Sequence, residues 1–147
     1  MNSLGLGGVW RGGTESLVRV VGVALMAALL TSCASLTKNS SDEDKRKAVT
    51  ASAAERWQLI IKGDSGVAYD AFMSTGSRQV ISRNEFMERM RVTQFRTAAV
   101  QGVECAVESC KTDVRITYDH KLMKGVGITL HETWIIEDGR VRFVWQP

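Results

Sequence analysis

The chain has 147 residues, 44% hydrophobic and 24% charged, with a formal net charge of +3. That length fits one domain plus an extension, and the composition is globular rather than intrinsically disordered. Acidic and basic residues are interspersed, and no Lys/Arg cluster alternates with aromatics, which argues against nucleic-acid binding. The three cysteines and two histidines show neither a C-x-x-C pair nor paired histidines, so no metal or other cofactor is indicated.

In chain order, the first feature is the apolar run Val20–Leu30, "VVGVALMAALL", preceded by Arg11 and Arg19. A bilayer span needs about 20 such residues, so the run suits the core of a signal peptide instead. It ends in Leu30-Thr31-Ser32-Cys33, which resembles the lipobox of bacterial lipoproteins. The resemblance implies that residues 1–32 are removed and that Cys33 becomes an N-terminal residue carrying a diacylglyceryl thioether and usually an amide-linked third chain. Each buried methylene contributes about 0.8 kcal/mol, so two or more chains hold firmly to a lipid bilayer. Cys33 is followed by Ala34 and Ser35, with no aspartate of the inner-membrane retention type. In a Gram-negative host that implies a periplasm-facing protein of the outer membrane. The bland alternative is a secretory signal, or a core helix, with an incidental cysteine.

Residues 33–47 read as the lipidated cysteine and a polar tether, leaving a domain over 48–147. Val49, Ala53, Trp57, Ile60 and Ile61 recur at helical spacing, predicting a helix over about 44–62 that Gly63 stops. Asp64 or Ser65 can cap a second helix over 66–74. Ser82 and Glu85 form the capping pattern "SRNE" for a third, with Phe86 and Met90 facing inward.

From about Phe95 the period becomes two. Val114, Ile116 and Tyr118 alternate with Asp113, Arg115 and Thr117. Ile128, Leu130, Trp134 and Ile136 share one face, as do Val141, Phe143 and Trp145. Glu137-Asp138-Gly139 carries turn chemistry, and 121–127, "KLMKGVG", reads as another turn region. Helices followed by alternating strands predict an α+β domain with helices on one face of an antiparallel sheet. Cys105 and Cys110 flank a four-residue loop. Cross-strand partners in a hairpin come within disulfide range, and an oxidising compartment favours the bond; two free buried thiols are the alternative.

Four segments, "AERWQLIIKGDSGVAYDAFMS", "SRNEFMERM", "VECAVESCKTDVRITYD" and "TWIIEDGRVRFVW", together resemble nuclear transport factor 2-like proteins, in particular bacterial lipoproteins of that type. The resemblance covers residues 48–147. It implies a cone: three helices against a strongly curved antiparallel sheet, with a pocket between them. The family contains isomerase-like and cyclase-like enzymes as well as binding and assembly domains, so the fold does not fix the function. No motif of its enzymatic branches is present.

Glu132 stands out because alternation places it between Leu130 and Trp134 on the apolar face, where an unpaired carboxylate is costly. It would be a pocket acid or base, or the partner of an arginine, or a residue that a bulge or the sheet rim lets reach water. Trp57, Tyr69, Tyr118, Trp134 and Trp145 could line an aromatic pocket or simply fill the core; Tyr69 is the favoured hydroxyl. Asp64, Asp70, His120 and His131 are weaker candidates, explained by capping, strand ends or the outer sheet face. Two readings result. The preferred one is a non-catalytic envelope lipoprotein that binds a protein partner or a small apolar ligand. The alternative is an isomerase- or hydratase-like enzyme using Glu132 with Tyr69 or Tyr118. A homodimer through the outer sheet face, at Thr129, Thr133, Ile135 and Val144, is a further expectation.

Overall fold

A computed structural model describes residues 35–146. The first 34 residues lie outside the described part, and with them Cys33 and the expected signal peptide. Among the described residues four helices come first: α1 (Asp42–Lys62), α2 (Ser65–Phe72), α3 (Thr75–Val80) and α4 (Arg83–Arg91). Four strands follow: β1 (Gln94–Cys105), β2 (Ser109–His120), β3 (Met123–Glu137) and β4 (Arg140–Val144). The strands form one antiparallel sheet in the order β1-β2-β3-β4. The helices cover its inner face, giving the α+β architecture expected from the periodicities.

Helix α1 is bounded by local chemistry. Ser41 caps it by accepting from the Asp44 N–H, and Asp42, Glu43 and Asp44 occupy the first turn, where the helix dipole favours negative charge. Gly63 ends it in the left-handed region at φ 91°, donating to the Ile60 carbonyl, while the Asp64 N–H reaches Leu59. Its buried stripe is Val49, Ala53, Arg56, Trp57 and Ile60, joined by Lys45. The buried lysine and arginine are the departures from the apolar pattern.

The segment expected to be a tether is largely part of the body. Residues 42–47 are the first turns of α1. The Leu36 N–H donates to Gly139, and Lys38 pairs with Glu108. Lys45, only 3% exposed, donates to the carbonyls of Ala106 and Val107 in the β1–β2 loop. The backbone N–H of Leu36 and the ammonium of Lys45 thus satisfy carbonyls at two hairpin tips.

Helix α2 starts at Ser65, with Asp64 at the N-cap position but without a side-chain cap bond. Helix α3, between the expected helices, has only 6 residues and is too short to show a period; Ser74 caps it by accepting from the Ser77 N–H. Helix α4 is capped by Ser82, which accepts from Glu85, whereas the Glu85 carboxylate turns to Arg89 instead of completing a reciprocal box. Phe86 is fully buried, and Met90 is partly so.

The sheet realises the predicted alternation. Cys110, Thr112, Val114 and Ile116 of β2 face inward with Glu132 and Trp134 of β3 and Val141 and Phe143 of β4. Register shifts in β1 after Phe95 and after Val100 bend the strand around α1. Asp138 and Gly139 both have positive φ, as a two-residue type I′ hairpin requires. The region 121–127 is not all turn, however. Only Lys121 and Leu122 connect β2 to β3, which already begins at Met123. Its glycines have sheet roles: the Gly125 N–H bonds the Asp119 carboxylate, and Gly127 leaves room for the Arg115 guanidinium lying across it.

Cys105 and Cys110 face each other as cross-strand partners, 4.0 Å apart at Cα, and are joined in a disulfide. Trp134, Phe143, Phe86, Phe72 and Trp145 then form a continuous aromatic cluster with ring centroids 5.7–6.5 Å apart. Each such buried side chain is worth about 1.5–3 kcal/mol of burial, with a further ~0.5–1.5 kcal/mol for edge-to-face pairs. No described helix is long and apolar enough to cross a membrane. Residues from Ser35 onward form one compact unit with this core inside it.

Candidate functional site

Where β4 ends, the helical layer and the sheet leave a depression of about 360 Å³. Arg56 and Trp57 of α1 reach it from one side and Leu130 and Glu132 of β3 from the other. Met90, Phe95, Phe143 and Trp145 complete mostly apolar walls. Trp145 is set there by α3: its N–H donates to Ser77 Oγ at 2.8 Å, and Ser74 N–H donates to the Phe143 carbonyl at 2.9 Å.

The polar centre of this pocket is an ion pair. Arg56 Nη1 donates to Glu132 Oε1 at 2.9 Å, with Arg56 3% and Glu132 5% exposed. Trp57 Nε1 donates to the same oxygen at 2.8 Å, and Trp134 Nε1 to Oε2 at 3.1 Å. Three N–H donors therefore hold one carboxylate. The Arg56 guanidinium stacks 3.7 Å from the centroid of Phe143, so its flat face is covered by an aromatic ring. Burial pulls the Arg56 pKa below its ordinary value, and the Glu132 charge and hydrogen bond oppose that pull. An arginine nevertheless stays protonated at neutral pH.

The arginine-partner explanation for Glu132 is therefore the one realised. The sequence identified the carboxylate but not Arg56. The clue was available: Arg56 lies three residues beyond Ala53 and four before Ile60, on the buried stripe of α1.

Of the other candidates, the structure brings Trp57 and Trp145 to the pocket wall, while Trp134 lies beneath it, fully buried, behind Glu132 and Phe143. The tyrosines are corrections. Tyr69 is buried among helices and donates its hydroxyl to the Ile81 carbonyl at 2.9 Å, because α3 and the turn after it fold back over α2. Tyr118 packs on Phe95 and does not line the pocket. No tyrosine faces Glu132. Asp70 is paired with Arg83 on the surface. His131 reaches the pocket rim from the outer sheet face, where it is largely exposed and its Nδ1 lies 2.6 Å from Asp113. His120 is exposed at the end of β2. On the outer sheet face, Thr133 accepts from Gln146 and Thr129 is exposed.

A second groove, about 380 Å³, runs between the C-terminal end of α1 and α4, but its arginines are already paired, Arg91 with Glu88 and Arg96 with Asp119. Among the described residues no group of three or more His, Cys, Asp or Glu side chains could hold a metal ion.

No protein-family model matches the sequence, and no curated protein does. Solved structures do. A SEC-C motif-containing protein from Rhodopseudomonas palustris is similar at a TM-score of 0.52 and 14% identity, over 65% of this chain and 73% of its own. A Campylobacter jejuni protein described as a candidate nuclear transport factor 2-like transpeptidase aligns at 0.49 and 9%, over 73% of this chain and 100% of that one. A de novo designed protein of the nuclear transport factor 2 fold aligns at 0.43 and 14%, over 74% and 87%. At such identities a likeness concerns the fold alone, an α+β body of helices on a curved antiparallel sheet.

Proposed function

We propose that this chain is a lipid-anchored envelope protein whose nuclear transport factor 2-like cone binds a small, largely apolar ligand without chemically transforming it. One observation carries the binding-not-catalysis part. Glu132 is the sole carboxylate lining the pocket, it is committed to Arg56 and two indole N–H groups, and neither tyrosine hydroxyl is hydrogen-bonded to it. The enzymatic alternative needs Tyr69 or Tyr118 opposite Glu132, and both are elsewhere.

The anchoring part rests on the run Val20–Leu30 and on Leu30-Thr31-Ser32-Cys33. Acylated Cys33 would hold the protein to the bilayer, and the absence of Asp after Cys33 fits the periplasmic side of an outer membrane. Two measurements test the reading. Radiolabelled palmitate should enter the wild-type protein and not a Cys33→Ala variant, and globomycin should block removal of residues 1–32. Unlabelled wild-type protein would end the anchor. An apolar aromatic probe that leaves the indole N–H resonances of Trp57 and Trp145 unmoved would end the pocket reading.

A further inference from the structure

We infer that the ligand of this pocket carries a carboxylate head read by Arg56, on an apolar body. The inference rests on the pocket reading above and adds the chemistry of the head.

A guanidinium offers five N–H donors in a planar fork. Among the described residues the only acceptor for Arg56 is Glu132, reached through Nη1. Four N–H groups remain on a side chain that is nine-tenths buried and lines the pocket. Glu132 is in the opposite condition. Two indoles and Arg56 already occupy three of its roughly four acceptor positions, so its charge is met by donors on both oxygens. The Arg56–Glu132 centre is thus rich in unspent donors and short of acceptors. A head that brings donors, such as an ammonium, would meet a buried cation and a carboxylate already held by three donors. A head that brings only acceptors would find a fork of matching geometry, and a carboxylate matches that fork with two parallel, charge-assisted bonds. The stack of the guanidinium on Phe143 fixes the plane of the fork in advance. The rest of the lining is mainly apolar, Trp57, Met90, Phe95, Leu130 and Trp145, and suits an apolar body, with His131 and Gln146 exposed at the rim.

The test uses the full chain in lipid nanodiscs and four probes sharing one body: 4-ethylbenzoate, 4-ethylacetophenone, 4-ethylbenzylammonium and ethylbenzene. Binding is read from the indole N–H resonances of Trp57 and Trp145, with free probe concentrations corrected for lipid partitioning. The carboxylate should bind at least about tenfold more tightly than ethylbenzene and the ammonium, the ratio expected from one or two hydrogen bonds to a charged group, with the ketone between. The neutral double variant R56M/E132Q keeps the pocket uncharged, and its fold is checked by circular dichroism and by closure of the Cys105–Cys110 bond. It should still bind ethylbenzene while losing the preference for the carboxylate. Equal binding of all four heads, or a preference that survives in the double variant, overturns the head assignment alone. Failure of every probe, ethylbenzene included, overturns the pocket reading together with it.

Discussion

Removing one half of the Arg56–Glu132 pair should harm the protein more than removing both charges. In R56M the buried Glu132 carboxylate keeps its two indole donors but loses its counter-charge. In E132Q the Arg56 guanidinium remains buried under Phe143 with only an amide oxygen for company. Breaking a buried pair in this way costs about 3–5 kcal/mol, since the stranded ion retains its desolvation penalty without compensation. In R56M/E132Q no ion is stranded. What is lost is the better part of one indole hydrogen bond, about 1–3 kcal/mol, because the glutamine amide nitrogen cannot accept from Trp134. Urea unfolding followed by far-ultraviolet circular dichroism reads the cycle. With an m-value near 1.5 kcal/mol/M, each single variant should lower the midpoint by about 2–3 M and the double by about 1–2 M. A whole-domain stability of about 5–15 kcal/mol leaves room to measure all four proteins. If either single variant costs less than about 1 kcal/mol, or if the double loses the sum of the singles, the pair is not a desolvated couple and the account of Glu132 is wrong.

Three further outcomes follow from the same geometry. Reducing Cys105–Cys110, or replacing both with serine, should cost about 2 kcal/mol on the loop-entropy argument, read as a fall in Tm of about 8–15 °C; an unchanged Tm would show that the bond restrains nothing. The Gly125 N–H and the Arg96 guanidinium hold the Asp119 carboxyl down to about 2, below its ordinary 3.8. Because the folded value is the lower one, the stability Asp119 contributes is full above about pH 4 and disappears between pH 4 and 2. D119N should lose that part of the acid slope, and an Asp119 resonance titrating near 4 would contradict it. Tyr69→Phe should lower stability by about 0.5–1.5 kcal/mol through the lost bond to Ile81, leaving ligand binding within twofold. A large loss of binding at unchanged stability would return Tyr69 to the site.

The strand alternations, the serine caps at Ser41, Ser74 and Ser82, the glycine stop at Gly63 and the Asp138-Gly139 turn are local matters, each decided by a few neighbouring residues. Those of them that carry a period or a named cap, from Val49 to Ile60 and from Val114 to Phe143, could be read directly from the chain. The cysteine pair was equally legible, since five residues of separation leave few geometries besides a hairpin. Helix α3 and the early start of β3 were not, because a helix of 6 residues shows no period and two glycines in "KLMKGVG" mimic a loop while serving a strand.

Sequence by itself settled the division of this protein into a helical half and a strand half, and which face of β2, β3 and β4 turns inward, because burial imposes a period that survives in the order of residues. Tertiary structure alone decided that the inward carboxylate of β3 meets the inward guanidinium of α1, that Tyr69 spends its hydroxyl on a neighbouring turn, and that Leu36, Lys38 and Lys45 clasp the two hairpin tips. Periodicity tells a residue which way to face; it cannot say what stands 76 positions away on the other side of the core.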